Sequence, residues 1–189
     1  MFKGFVVGFL LGVLLLVGGV YCYFASGMAP AAVGDPPMPF EKSMAKKALH
    51  AHMDKQLAAQ PAVPADEPNL LAGAQVYVQN CVGCHGLPDQ PPPPFADRMY
   101  PPAPLLFKGK GVTDDEPSES YWKVVNGIRL TGMPSFKSFL TDTQLWQVSQ
   151  LVAHANALPD SAKKVLVPWT PPVAQTPAPA PATAPPPKL

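Results

Sequence analysis

Cysteine is scarce in this chain, three residues in 189, and that limits what its thiols can build. A structural zinc site takes about four ligands, whereas Cys81 and Cys84 supply two and the third cysteine, Cys22, lies in a distant apolar stretch. A strand–helix repeat is also lacking, which removes the βαβ setting of a thioredoxin-like cysteine pair. Basic residues are missing from residues 4–41, and Asp66 to Asp160 holds six of them against ten acidic residues. An acidic module is a poor match for nucleic acid and suits a protein partner with a positive docking face.

Against these absences stands one long apolar run. Gly4 to Ala25 has 22 residues and no charge, enough for a helix to cross a bilayer, and Tyr21, Tyr23 and Phe24 at its far end suit the interface. A cleaved signal peptide is the competing reading, since Ala25, Gly27 and Ala29 are small, but its apolar core would run to about 7–15 residues. Tyr21 is too bulky to precede a lipidated Cys22. Residues 1–25 therefore read as a retained membrane anchor, with the bilayer met through residues 4–25. Lys3 and the amino terminus flank one end, and no basic residue follows until Lys42. This asymmetry puts the N-terminus in the cytoplasm and, in a bacterium, the bulk of a single-pass inner-membrane protein on the periplasmic side.

Residues 26–65 form a spacer. Within it Phe40, Met44, Ala48, Leu49, His52 and Met53 recur at helical spacing and predict a helix over 40–59. It reads first as a solvated spacer helix, with packing against a partner or the lipid surface as the alternative. His50 and His52, two apart, point in different directions and make poor joint metal ligands. Residues 66–160 are the single domain, small enough to need help in building a core. Residues 161–189 are a Pro-rich tail, with nine prolines from Pro168 onward, expected to be extended; Val165 to Trp169 before it reads as surface packing.

The domain's most specific feature is Cys81-Val82-Gly83-Cys84-His85. Two thiols and an imidazole at this spacing are the attachment pattern of a c-type haem, so one covalent haem c is expected on Cys81 and Cys84 with His85 as a metal ligand. Helices are predicted from about Asn69 to Gln79, from Ser118 to Asn126 and from Asp142 or Thr143 to about Asn156, an all-α class. Their inner faces are expected to be Leu70, Leu71, Ala74, Val76, Tyr77 and Val78, then Tyr121, Trp122, Val124 and Val125, then Leu145, Trp146, Val148, Leu151 and Val152. Gly73 would let a second helix approach closely. Gly127 is expected in a left-handed helix end. The Pro91 to Pro94 and Pro101 to Pro104 stretches would wrap the haem.

The second axial ligand of such a haem is Met, His or nothing. Met133 is the leading candidate, because Gly132 and Pro134 flank it in a loop between two predicted helices. Met99 reads as packing, and His154 as a histidine at a helix end.

Taken together, Gly73-x-x-x-Tyr77, Cys81-x-x-Cys84-His85, Asn126-Gly127, Thr131-Gly132-Met133-Pro134 and Leu145-Trp146 make residues 69–158 resemble a class I cytochrome c, of the membrane-anchored mono-haem bacterial type. The resemblance implies a small all-α haem domain whose first and last helices cross near Gly73, with His85 and Met133 as the metal ligands. It also implies roles for Tyr77 and Trp146, and a prolyl carbonyl from Pro101–Pro104 behind His85. Leu151 departs from it, standing where many members have an aromatic residue.

The function expected is one-electron transfer between respiratory or photosynthetic redox complexes, by a carrier or oxidoreductase subunit that is not itself an enzyme. Its partners would be a redox protein donor and an acceptor in or at the membrane. Two other classes compete: a haem enzyme with peroxidase or ligand-binding activity if Met133 leaves the metal, and a redox-silent assembly scaffold.

Overall fold

The computed structural model describes residues 2–57, 61–91, 93–107 and 115–167. Every regular element among them is helical: α1 Phe2–Ala25, α2 Glu41–Met53, α3 Glu67–Asn80, α4 Val82–His85, a 3-10 turn Ala96–Arg98, α5 Pro117–Asn126, α6 Asp142–Ala153 and α7 Asp160–Val165. The tail from Pro168, and Ala58 and Ala59 of the expected 40–59 helix, lie outside the described residues.

α1 is long and apolar enough to cross a membrane, and none of its side chains is buried within the chain. At 1.5 Å per residue it runs about 36 Å, against a hydrocarbon core of about 30 Å.

α3 starts earlier than the sequence predicts. Asp66 rather than Asn69 is its N-cap, its carboxylate accepting from the Asn69 N–H at 3.1 Å. Pro68 fits the first turn because the N–H it lacks would have had no partner inside the helix. α6 opens with a capping box between Thr141 and Gln144. These two helices build the core: Leu70, Gly73, Ala74, Val76 and Tyr77 of α3 are buried, as are Leu145, Trp146, Val148 and Leu151 of α6. Leu151 is fully buried, so an aliphatic side chain fills the crossing at the position where the resemblance has an aromatic one.

Gly73 sets how closely the two helices approach. A Cβ there would lie 2.2 Å from the Gln147 carbonyl oxygen and 3.1 Å from the Leu151 Cβ. The first neighbour is helix backbone and cannot rotate away, so the helices would have to separate. Gly73→Ala is expected to destabilise the domain by roughly 3 kcal/mol, the upper range for overpacking, measurable as a lowered denaturation midpoint.

α7 packs along α3, with Leu158, Ala162 and Leu166 joining the same core cluster. The packed helices therefore continue past Asp160 to Leu166. α5 packs on α6, where the Tyr121 and Trp146 rings stack at 3.9 Å and 11°. The apolar face expected of α5 is only partly buried, and its buried residue is Ser120. α5 divides its contacts between α6, a cavity described below, and α2.

α2 ends at Met53, short of the expected span, and it is not a solvated spacer. Met53 is completely buried. Just beyond the helix, Gln56 Oε1 accepts from the Trp122 indole N–H at 3.0 Å, and the His52 and Trp122 rings meet edge to face at 5.9 Å. The apolar pair Leu49 and Met53, four apart, was the available signal for this contact; the partner, Trp122, lies 66 residues on from Gln56.

Candidate functional site

α3 hands over to α4 at a single residue. The Cys81 N–H closes α3 on the Tyr77 carbonyl at 2.8 Å, and the Cys81 carbonyl accepts from Cys84 at 3.1 Å and His85 at 2.9 Å. Both thiols and the imidazole are thus carried by one turn. Gly86 ends that turn at φ 68, ψ −174, a region essentially reserved for glycine. The buried Tyr77 hydroxyl donates to the Gly86 carbonyl at 2.7 Å and ties the turn back to α3.

Cys81, Cys84 and His85 line a cavity of about 280 Å³, shared with Met133 and Met99, Leu106 and Ile128 from the loops and Val148 from α6. The lining is mostly apolar. Both thiols are free. Burial, with the Cys84 charge adding to it, pushes the Cys81 thiol up to about 12. Burial also lowers His85 below its usual value, opposed by a hydrogen bond to the Pro104 carbonyl. His85 Nδ1 lies 2.8 Å from that oxygen; a carbonyl only accepts, so Nδ1 carries the proton and Nε2 keeps its lone pair.

The loop carrying Met133 is a closed structure of its own. Ile128 N–H donates to the Met133 carbonyl at 3.1 Å, the Thr131 hydroxyl donates to the Ile128 carbonyl at 2.7 Å and accepts from the Met133 N–H at 3.1 Å. Phe136 N–H reaches the Val124 carbonyl at 3.0 Å, and the Ser135 hydroxyl reaches that of Val125 at 2.5 Å, anchoring the loop's exit to α5. Gly127 adopts φ 68, ψ −178 rather than the expected left-handed helical conformation. A Cβ on it would lie 2.7 Å from Pro134 C and Ser135 N. The returning chain passes where a side chain would stand.

Gly132 differs, since a Cβ there would meet only the Met99 side chain, 1.6 Å from its terminal methyl, a flexible group that can move. Met99 therefore packs onto the loop that carries Met133. His154 is not among the residues lining the cavity; its Nδ1 contacts its own helix at the Gln150 carbonyl, 2.9 Å away.

Sequence reasoning missed six polar or distant lining residues: Leu49 of α2, Asn80 of α3, Asp115 just before α5, Ser120 and Lys123 of α5, and Ser149 of α6. Ser149 carries no local signal, and the Leu49–Met53 pair marks an apolar face without saying what it faces; only the packing of α2 and α6 turns these residues toward the cavity. Lys123 pairs with Asp115 and lies 4.0 Å from the Glu119 carboxylate. Burial and then the Asp115 carboxyl push Glu119 up. The cation that faces the cavity is thereby neutralised. Among the described residues no group of three or more His, Cys, Asp or Glu side chains is arranged to hold a bare metal ion.

No curated protein and no solved structure matches the chain. Residues 68–152, the segment that runs from α3 through both cysteines, His85 and the Met133 loop into α6, match the family of cytochrome C oxidase, cbb3-type, subunit III.

Proposed function

We propose that this chain is a membrane-tethered electron-transfer protein carrying one covalent haem c, held on the periplasmic side of a bacterial inner membrane. The observation that carries this reading is that Cys81, Cys84 and His85, on one turn, line the same largely apolar cavity as Met133. The likeness to a cbb3-type oxidase subunit supports a redox complex as the partner, with a donor and an acceptor in or at the membrane. A subunit passing electrons within such a complex is not itself the enzyme.

The residues fit the group. Cys81 and Cys84 would hold it through thioether bonds, while His85 Nε2 and the Met133 sulfur would be the donors to its metal. When bound, haem supplies a metal that gains and loses one electron. The chain's own part is to fix those donors. The Pro104 carbonyl fixes the His85 tautomer and ring direction. Burial keeps the imidazole in the neutral form that binds metal. The Thr131 hydroxyl and Gly127 hold the Met133 loop in shape, and the apolar walls limit water, which disfavours the more highly charged oxidation state. Were His85 and Met133 both to hold the metal, the protein would leave it no open position for a substrate, which separates this reading from a peroxidase.

The test is to mature the full chain with a haem-attachment system and titrate it in mild detergent. One haem per chain that survives denaturation, a low-spin spectrum with the weak near-infrared band of methionine ligation, and a reversible one-electron couple are expected. Haem lost on denaturation would overturn the attachment. High-spin ferric iron with peroxide turnover would instead favour the enzyme class, and an absent or irreversible couple the scaffold. Met99→Ala is expected to leave the near-infrared band and carbon monoxide access unchanged, because Met99 is assigned to packing against Gly132.

A further inference from the structure

α2 has two sides, and only one is partnered among the described residues. Leu49 and Met53 face the domain, and Lys42 lies over the Tyr100 ring at 5.9 Å. On the other side helical spacing brings Met44, Lys47, Ala48 and Ala51 into one strip, every one of them exposed, and Lys55 is exposed in the turn just beyond the helix. Phe40, at the head of the strip, is 80% exposed, and its backbone sits at φ 65, an uncommon conformation for a bulky residue.

We infer that the outer strip of α2 rests on the anionic headgroup surface of the membrane that α1 enters, so that α2 is a plate between lipid and the packed domain. The inference rests on α1 as a membrane span, and not on what the cavity holds. Three observations select lipid as the occupant.

The first is reach. Only residues 26–40 separate α1 from α2, at most about 50 Å if fully extended. They are folded into turns: the Asp35 carboxylate accepts from the N–H groups of Ala31 and Ala32, both at 2.8 Å, and Ser26 N–H continues onto the Cys22 carbonyl at 2.9 Å. The tether is therefore well short of its extended length, and α2 lies within that reach of the end of α1.

The second is charge. Of the four lysines against two acids in Glu41 to Lys55, Lys47 lies on the outer strip with Lys55 and Asp54 in the turn at its end, and Glu41 is turned back onto the Met38 N–H at 2.8 Å. The segment from Asp66 to Asp160, with ten acids against six bases, would be repelled by the same surface. α2 supplies the basic side on which approach is favourable, since each lysine near an anionic leaflet is attracted within about a Debye length. The third is pattern: exposed Phe40 and Met44, at 80% and 63%, set among lysines on a short helix, are the mix of an interfacial helix, with aromatic and aliphatic groups at the headgroup boundary and cations among the phosphates.

The experiment uses the full chain, with Cys22→Ser, in nanodiscs of either phosphatidylglycerol-rich or pure phosphatidylcholine bilayers. A reporter thiol is placed by Met44→Cys or, separately, by Ala48→Cys. Its alkylation by an uncharged, water-soluble maleimide is followed by mass spectrometry on the peptide carrying that position, so the readout does not depend on the state of the cavity. Alkylation is expected to be about tenfold slower in the anionic bilayer, and Lys47→Gln/Lys55→Gln is expected to abolish that difference. Equal rates in the two lipids, as protection by a second copy or no protection at all would give, overturn the inference. So does a lipid-dependent rate that survives loss of the two lysines.

Discussion

Chains carrying Cys81→Ala and Cys84→Ala together are expected to emerge from a haem-attachment system with no covalent haem, and each single variant with much less than the parent. The two thiols are three residues apart on one turn, held by the Cys81 carbonyl's bonds to the Cys84 and His85 N–H groups, so both face one cavity. Losing one leaves a single attachment point; losing both leaves only axial ligation. Haem-stained denaturing gels and pyridine haemochrome spectra read the outcome directly. The single variants also report on stability. A domain of this size buries a limited fraction of its surface, and its cavity walls include core residues such as Tyr77 and Val148. Weakly loaded variants should therefore be recovered in low yield as well as with little haem. Undiminished stain in the double variant would remove the basis of the proposed function.

Gly127→Ala is expected to free the sixth coordination position as completely as Met133→Ala, although residue 127 carries no donor. The glycine's φ of 68 is unfavourable for alanine, and the added Cβ would sit 2.7 Å from the backbone of Pro134 and Ser135. Neither strain is relieved by a side-chain rotation, so the Met133 segment must move out. Both variants should bind carbon monoxide and cyanide where the parent does not. Met133→His should keep low-spin iron and lower the midpoint potential by on the order of 100 mV, because imidazole stabilises the ferric state more than a thioether does. Gly132→Ala is the contrasting case. Its added Cβ meets only the flexible end of Met99, so coordination should persist. A Gly127→Ala protein that keeps the near-infrared methionine band and excludes carbon monoxide would show that the loop's path does not depend on that glycine.

Much of the helical framework was legible before any coordinates. The apolar faces of α3 and α6 follow from periodicity, and a glycine in the middle of a helical pattern has few uses other than close approach. The Cys81 to His85 motif is local in sequence and needs no tertiary information. Errors fell both at a helix start set within three residues and where the decisive partner lies on another element. Asn69 looked like a cap until Asp66 and Pro68 set the first turn; α5 looked like a core helix until its inner face was found to be shared with a cavity; Gly127 does end α5, but at ψ −178 and not in the left-handed helical conformation expected.

The sequence by itself determined the parts whose causes lie within a few residues: the long uncharged α1, the helix periods, the one-turn grouping of two thiols with an imidazole, and the glycine–methionine–proline loop. Only the tertiary structure decided that Pro104 supplies the carbonyl behind His85, 19 residues away, that the Pro134–Ser135 backbone crosses over Gly127, and that α2 closes onto Trp122 and turns a lysine-bearing strip outward. Those contacts join residues far apart in the chain. No local propensity encodes them, because each arises only when the packing of α3, α5 and α6 has brought the distant groups to one place.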